Sequence, residues 1–185
     1  MLKTKIAVFV SGGGTNFEAL INAQENGKIP HGEIVLMVSS SKTAYALKRA
    51  ENHGIKSVVC SKKELGSQES FEEEILKNLK ENDIQLIVLA GFMSILSKEF
   101  TKKYENRIIN IHPSLIPSFC GEGFYGLHVH EAALKKGVKV TGATVHIVNE
   151  IPDGGPIIMQ RADYVEDNDT PETLQKRGME QAEWK

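Results

Sequence analysis

Strand-like and helix-like segments alternate through short loops from Lys5 to Tyr104, and that rhythm leaves few folds open to the chain. KIAVFV (Lys5 to Val10) is a β-branched run ending in SGGGTN, after which FEALINAQENG has the mixed apolar and polar spacing of a helix closed by Gly27. The pattern returns as EIVLMVSS then YALKRAENHG, as IKSVVCS then SFEEEILKNLKEND, and as IQLIVLAG then the short helix SKEFTKKY. Strands alternating with helices predict a parallel sheet covered on both faces. After RIINIHPS the rhythm changes. A Gly-rich loop, CGEGFYGLH, precedes the helix EAALKKG, and KVTGATVHIVNE and PIIMQRADYV read as long strands separated by IPDGG. That spacing predicts an antiparallel excursion at one edge. The expected fold class is α/β: a Rossmann-like three-layer αβα sandwich with a mostly parallel sheet and an antiparallel C-terminal edge.

The final segment, TPETLQKRGMEQAEWK, opens on a Thr-Pro helix start and is still helical at its last residue. With no internal repeat, low-complexity stretch or linker, the expectation is one domain over residues 1–185, truncated at its C-terminus. A chain of 185 residues can bury a real core without staples. Its formal net charge is -2, and its Lys and Arg residues are scattered, which argues against a nucleic-acid partner. Any anionic ligand must then be held by local geometry. Cys60 and Cys120 lack metal or disulfide spacing and read as free thiols of a reducing compartment. The N-terminal apolar run IAVFV is too short for a signal peptide, and LIVLAGFMSIL is too short to span a bilayer. These features predict a cytoplasmic protein without a membrane partner.

SGGGTN lies between a strand and a helix, where backbone N–H groups and the helix dipole favour an anion. Successive glycines let the backbone approach a phosphate, and Thr15 or Asn16 can cap the helix. A tight βα turn with a good cap is the simpler structural alternative. The stretch is neither a Walker loop nor the dinucleotide fingerprint, because no Lys follows the glycines and Phe17 stands where a glycine would be needed. A single phosphate on a small ligand is the natural size.

Residues i and i+2 of a strand share a face, so Asn110 and His112 project together while Ile109 and Ile111 pack on the other side. Pro113 ends the ladder and keeps His112 extended. Both polar side chains then stand at the carboxyl end of a strand, where open α/β sheets bind ligands. From this stretch alone, a pair that merely satisfies loop backbone reads equally well. Asp153 sits in the IPDGGP turn, where Asp commonly bonds its own backbone. It gains a role if it meets His112, because a carboxylate beside an imidazole orients the ring and favours its charge. His128 and His130 in HVH would not share a helix face, and His146 reads as a polar partner within its strand, so no metal is expected.

VSGGGTN, LAGFMSIL, NIHPSLIP and TGATVHIVNEIPDGGPIIMQ occur in the order and spacing of the phosphoribosylglycinamide formyltransferases. The chain resembles that family from its first strand to its last residue. The resemblance implies the formyltransferase fold, and transfer of a formyl group from 10-formyltetrahydrofolate to the amine of glycinamide ribonucleotide in purine biosynthesis. It implies Asn110, His112 and Asp153 as the catalytic set. Gly13, Gly14, Thr15 and Asn16 would hold the substrate phosphate and Glu183 its ribose. Met93, Ser94, Ile95 and Leu96, with Asn110, Asn149, Glu150 and Asp153, would line the folate pocket. Ser94 stands where many relatives carry Arg, Gln68 lies near another such position, and the SFCGEGFYG loop is longer than in the shortest relatives. Three alternatives remain beside this reading: a formyltetrahydrofolate hydrolase, which would use the same Asn, His and Asp on water; a non-catalytic nucleotide-binding domain; and a nicotinamide oxidoreductase, weakened by the missing fingerprint.

Overall fold

A computed structural model describes residues 2–184, so the two end residues of the expected 1–185 domain lie outside the described residues. The chain divides into two compact units, Met1–Ile108 and Ile109–Lys185.

In the first unit, β1 (Thr4–Val10) pairs in parallel with β2 (Gly32–Ser39) on one side and β4 (Leu86–Leu89) on the other, and β3 (Lys56–Val59) extends β2. The strand order is β3-β2-β1-β4. Ala7, Val8, Phe9 and Val10 are all buried, as an unbroken apolar run must be when helices cover both faces of a sheet. Ile6, Val8 and Val10 face one way, onto Phe17 and Ile21 of α1 (Thr15–Glu25) and Ala46 and Ala50 of α2 (Ala46–Asn52). On the opposite side Phe9 meets Phe92 edge-on, and Phe92 stacks on Phe71 of α4 (Gln68–Glu81). The short α3 (Lys62–Leu65) precedes α4, and α5 (Lys98–Lys103) follows β4. Helix α4 begins two residues before the expected Ser70, because the Ser67 side chain accepts the Ser70 N–H and caps it there.

In the second unit, β5 (Ile108–His112) runs antiparallel to β6 (Val140–Ile147), which pairs antiparallel with β7 (Ile157–Tyr164). Parallel strands in the first unit and antiparallel ones at the C-terminal side are the arrangement the sequence predicts. Helix α6 (Leu127–Lys136) starts four residues before the expected Glu131, which places HVH inside it. His128 is therefore exposed beside Glu131 while His130 turns inward, in keeping with separate faces. Seven of the eight residues of β7 are exposed, Ile157, Ile158 and Met159 among them.

Helix α7 (Pro171–Gly178) carries a reciprocal capping box between Thr170 and Thr173 with Pro171 in its first turn, and a π-helical turn (Met179–Glu183) continues it. Arg177 anchors it by pairing with Asp169 and donating to the Tyr164 carbonyl at 2.7 Å. The guanidinium holds the Asp169 carboxyl down to about 2 against the opposing effect of burial. Because that folded-state value lies below the ordinary one, the pair stabilises the fold at neutral pH and its contribution fades as pH falls toward 2. Replacing Arg177 with Met leaves an enclosed carboxylate and should cost roughly 3 kcal/mol at pH 7. Urea midpoints measured from pH 7 downward should show the gap to wild type narrowing with acid.

Candidate active site

Each unit carries one cluster of chemically apt residues. In the first, β1 ends at Val10 and the chain turns through Gly12, Gly13 and Gly14 into α1. Gly14 has a φ of 71° and occupies the cap position, with no side-chain oxygen capping the helix. The expectation that Thr15 or Asn16 caps α1 is thus corrected, since both lie inside its first turn. Glycine is required at 14 on two counts: the left-handed backbone, and a Cβ that would fall 2.8 Å from that of Ala46. Around this turn His53 bridges two carboxylates, Glu25 at 2.9 Å and Glu18 at 3.1 Å, and Glu18 also pairs with Arg49.

Ser11 ties the glycine turn to the next loop of the same unit. Its N–H donates to the Gly91 carbonyl at 3.0 Å and its Oγ accepts the Met93 N–H at 2.8 Å. The far end of that loop is fixed by Glu72, an enclosed carboxylate that accepts the Ser97 N–H and the Ser97 hydroxyl, both at 2.6 Å. Gln68 donates both to Glu72 and to the Ile95 carbonyl. Between these anchors Met93, Ser94, Ile95 and Leu96 line an open cleft of about 510 Å³ together with Ser97, Gln68 and Lys62. Met93 and Ile95 are exposed although apolar. All four expected residues of the loop therefore share one concavity.

The second cluster forms where β5 and β6 face each other. Register sets Asn110 opposite His146 and His112 opposite Thr144, so the four side chains share one face of the pair. Thr144 donates to the Ser114 carbonyl at 2.6 Å and accepts the Ile116 N–H at 3.1 Å, which pins the chain just past His112. The IPDGGP turn brings Asp153 into this group on a left-handed backbone, φ 53°, which Asp tolerates better than most residues. Its Oδ2 accepts the Gly121 N–H at 2.9 Å and lies 3.5 Å from His112 Nδ1. Its Oδ1 lies 3.4 Å from His146 Nε2 and 3.5 Å from Asn110 Nδ2.

The imidazole roles follow from their partners. His112 Nε2 sits 2.8 Å from the Phe119 carbonyl, which can only accept, so this nitrogen carries a proton and Nδ1 is the one that gains or loses one. His146 Nδ1 likewise donates to the Ile147 carbonyl at 2.8 Å, leaving Nε2 to accept from the Asn110 amide at 3.1 Å when the ring is neutral. Burial pushes the Asp153 carboxyl up, but contact with His146, the Gly121 N–H and the charges of both imidazoles outweigh it and hold it below the usual carboxylate range. The result is an anion committed to the Gly121 N–H at 2.9 Å and faced by His112 Nδ1, His146 Nε2 and Asn110 Nδ2, each more than 3.3 Å away.

Asn110, His112 and Asp153 are thus brought together as the sequence suggests. His146 completes the group, although the sequence reading gave it only a role within its strand. The signal was there: TVHI repeats on β6 the i, i+2 polar spacing of NIH on β5. The sequence profile described as Formyl transferase matches residues 4–185. The chain belongs to the formyl transferase family. It is 47% identical over 175 residues to the trifunctional purine biosynthetic protein adenosine-3 of Gallus gallus, covering 95% of this chain but only 17% of that protein. It is 39% identical over 175 residues to the phosphoribosylglycinamide formyltransferase of Bacillus subtilis (strain 168), covering 94% of this chain and 86% of that one. The crystal structure of phosphoribosylglycinamide formyltransferase from Bacillus halodurans superimposes with a TM-score of 0.88 at 41% identity, over 96% of this chain and 88% of the other.

The other site residues expected from the sequence play different local parts. Asn149 accepts the Ile151 N–H and shapes the turn that carries Asp153, and Glu150 beside it is exposed. Glu183 is half-buried at the end of the π-helical turn. No group of three or more His, Cys, Asp or Glu among the described residues could hold a metal ion, and no helix there is long and apolar enough to cross a membrane.

The His53 bridge makes a pH-dependent contribution whose sign can be checked. Hydrogen bonds to Glu25 and then Glu18 raise its pKa, outweighing the burial that lowers it. A raised folded-state value means that the stabilisation is fully present below the unfolded pKa and disappears as pH rises through the folded one. His53→Gln should therefore lower the urea midpoint at pH 5.5 and leave it nearly unchanged at pH 9.

Proposed function

We propose that this chain is a phosphoribosylglycinamide formyltransferase, moving the formyl group of 10-formyltetrahydrofolate to the amine of glycinamide ribonucleotide in purine biosynthesis. The observation that carries this reading is the convergence of Asn110, His112 and Asp153 within 3.5 Å contacts at one end of β5. In the reaction the amine nitrogen attacks the formyl carbon, a C–N bond forms, and the carbonyl oxygen becomes an oxyanion. Asn110 Nδ2 and protonated Nδ1 of His112 donate to that oxyanion, each well-placed donor supplying roughly 3 kcal/mol. Asp153, held anionic, supports positive charge on His112 and, through water, moves a proton from the attacking amine to the folate nitrogen as the bond from that nitrogen to the formyl carbon breaks. His146 accepts from Asn110 and so aims its amide.

The binding assignments extend this proposal. Gly13, Gly14, Thr15 and Asn16 hold the substrate phosphate on the backbone of a strand-to-helix turn, and Glu183 contacts the ribose. Met93, Ser94, Ile95 and Leu96, with Asn149 and Glu150, receive the formyl folate, and the open cleft beside Met93 and Ile95 supplies apolar surface suited to a flat ring system. The longer loop from Ser118 contributes the Phe119 carbonyl and the Gly121 N–H that fix the His112 tautomer and Asp153.

Two measurements test the proposal. Supplied with 10-formyltetrahydrofolate, the protein should release folate product only when glycinamide ribonucleotide is present, and equal rates with and without it would identify a hydrolase instead. His112→Ala and Asn110→Ala should each lower kcat by about 100-fold or more with an unchanged melting temperature. Near wild-type turnover in a folded His112→Ala protein would remove His112 from the mechanism.

A further inference from the structure

We propose that Arg49 is a positioning residue that sets the direction of the glycine-turn amides. The inference rests on the reading that this turn holds the substrate phosphate, and it assigns Arg49 a task other than touching that phosphate. Two carbonyls of the turn are tied to α2: the Ala46 N–H donates to the Gly12 carbonyl at 3.2 Å, and Arg49 Nε donates to the Gly13 carbonyl at 2.9 Å. In a trans peptide the carbonyl and the next N–H point in opposite directions. Fixing those carbonyls toward α2 therefore turns the N–H groups of Gly13 and Gly14 away from it. Gly12 and Gly13 are exposed, and a Cβ built on either would meet nothing within 4 Å, so the turn is accessible from outside.

Arg49 is itself held from other directions. Its Nη1 lies 3.1 Å from Glu18, and its guanidinium stands 5.1 Å from the centre of the Tyr45 ring. Glu18 is in turn fixed by His53, whose other nitrogen meets Glu25. A rigid planar fork bridging Glu18 and a backbone carbonyl is a task for guanidinium and not for ammonium. Glu18 presents a paradox that this arrangement resolves. A carboxylate in the first turn of α1 repels an anion bound at that helix end, yet here it orients the group that orients the amides.

The test uses the intact protein and inorganic phosphate, followed through the backbone amide resonances of Gly13 and Gly14, with melting temperatures confirming that each variant is folded. In wild type both resonances should shift as phosphate saturates. If neither moves, the phosphate reading of the turn fails, and the role of Arg49 fails with it. If both move, Arg49→Gln should weaken binding about tenfold, the scale of one lost charge-assisted hydrogen bond. Arg49→Lys, which keeps the charge without the fork, should bind as weakly as Arg49→Gln. Glu18→Gln should also weaken binding, although removing a negative charge would by electrostatics alone strengthen it. In steady state Arg49→Gln should raise KM for glycinamide ribonucleotide while leaving kcat and KM for the formyl donor unchanged. Wild-type affinity in Arg49→Gln or Arg49→Lys, or tighter binding in Glu18→Gln, would overturn the assignment of Arg49 while leaving the phosphate reading intact.

Discussion

The pairing register of β5 and β6 is the constraint on which the cluster around Asp153 depends. Because Asn110 lies opposite His146 and His112 opposite Thr144, four polar side chains occupy one face of a two-strand ladder. A slip of β5 by one residue would turn Asn110 and His112 away from Thr144 and His146 and bring Ile109 and Ile111 in their place. The register is secured past the end of the strand as well, where Thr144 bonds the backbone on both sides of Leu115 and also receives a hydrogen bond from Gln160. Polar side chains at a strand end are thus placed by backbone pairing, and the loop from Ser118 adds the contacts that orient them.

The two clusters solve a common problem in different ways. At the glycine turn the groups to be held are backbone amides, and what must be fixed is the orientation of peptide planes. Contacts from α2 fix the carbonyls of those planes. Around Asp153 the groups to be held are side chains, and what must be fixed is which nitrogen carries a proton. Carbonyl oxygens of Phe119 and Ile147 fix that by accepting from one nitrogen of each imidazole. In both cases the group that orients lies behind the group that it holds: the Arg49 guanidinium and the Ala46 N–H at the turn, backbone carbonyls around Asp153.

Much of this was legible in the amino-acid order. The alternation from Lys5 to Tyr104 announced parallel strands under helices, and the change of rhythm after Ser114 announced the antiparallel edge. The i, i+2 spacing of Asn110 and His112 predicted a shared face. What was missed has local physical reasons. The cap of α1 was assigned to Thr15 or Asn16 because hydroxyl and amide side chains commonly cap, whereas Gly14 takes that position through a left-handed backbone that composition does not reveal. Helix α6 begins early because LHV continues its apolar spacing behind Gly126, where Gly-rich sequence had suggested only loop. His146 was undervalued because its significance lies in cross-strand register, a relation between residues 36 positions apart. Arg49 gave no signal at all, since one Arg in a charged helix resembles any other.

The left-handed backbone at Asp153 narrows the evolutionary routes open to this chain. Outside glycine, that conformation is most accessible to Asp and Asn, so the set of residues that fit the turn and the set that supply a negative charge overlap in one member. Glutamate, the obvious chemical cousin, would meet the steric barrier before its reactivity mattered. Drift at this position is confined by conformation as well as by chemistry, and a lineage that abandoned the reaction would keep the shape of the turn most readily by accepting asparagine or glycine there.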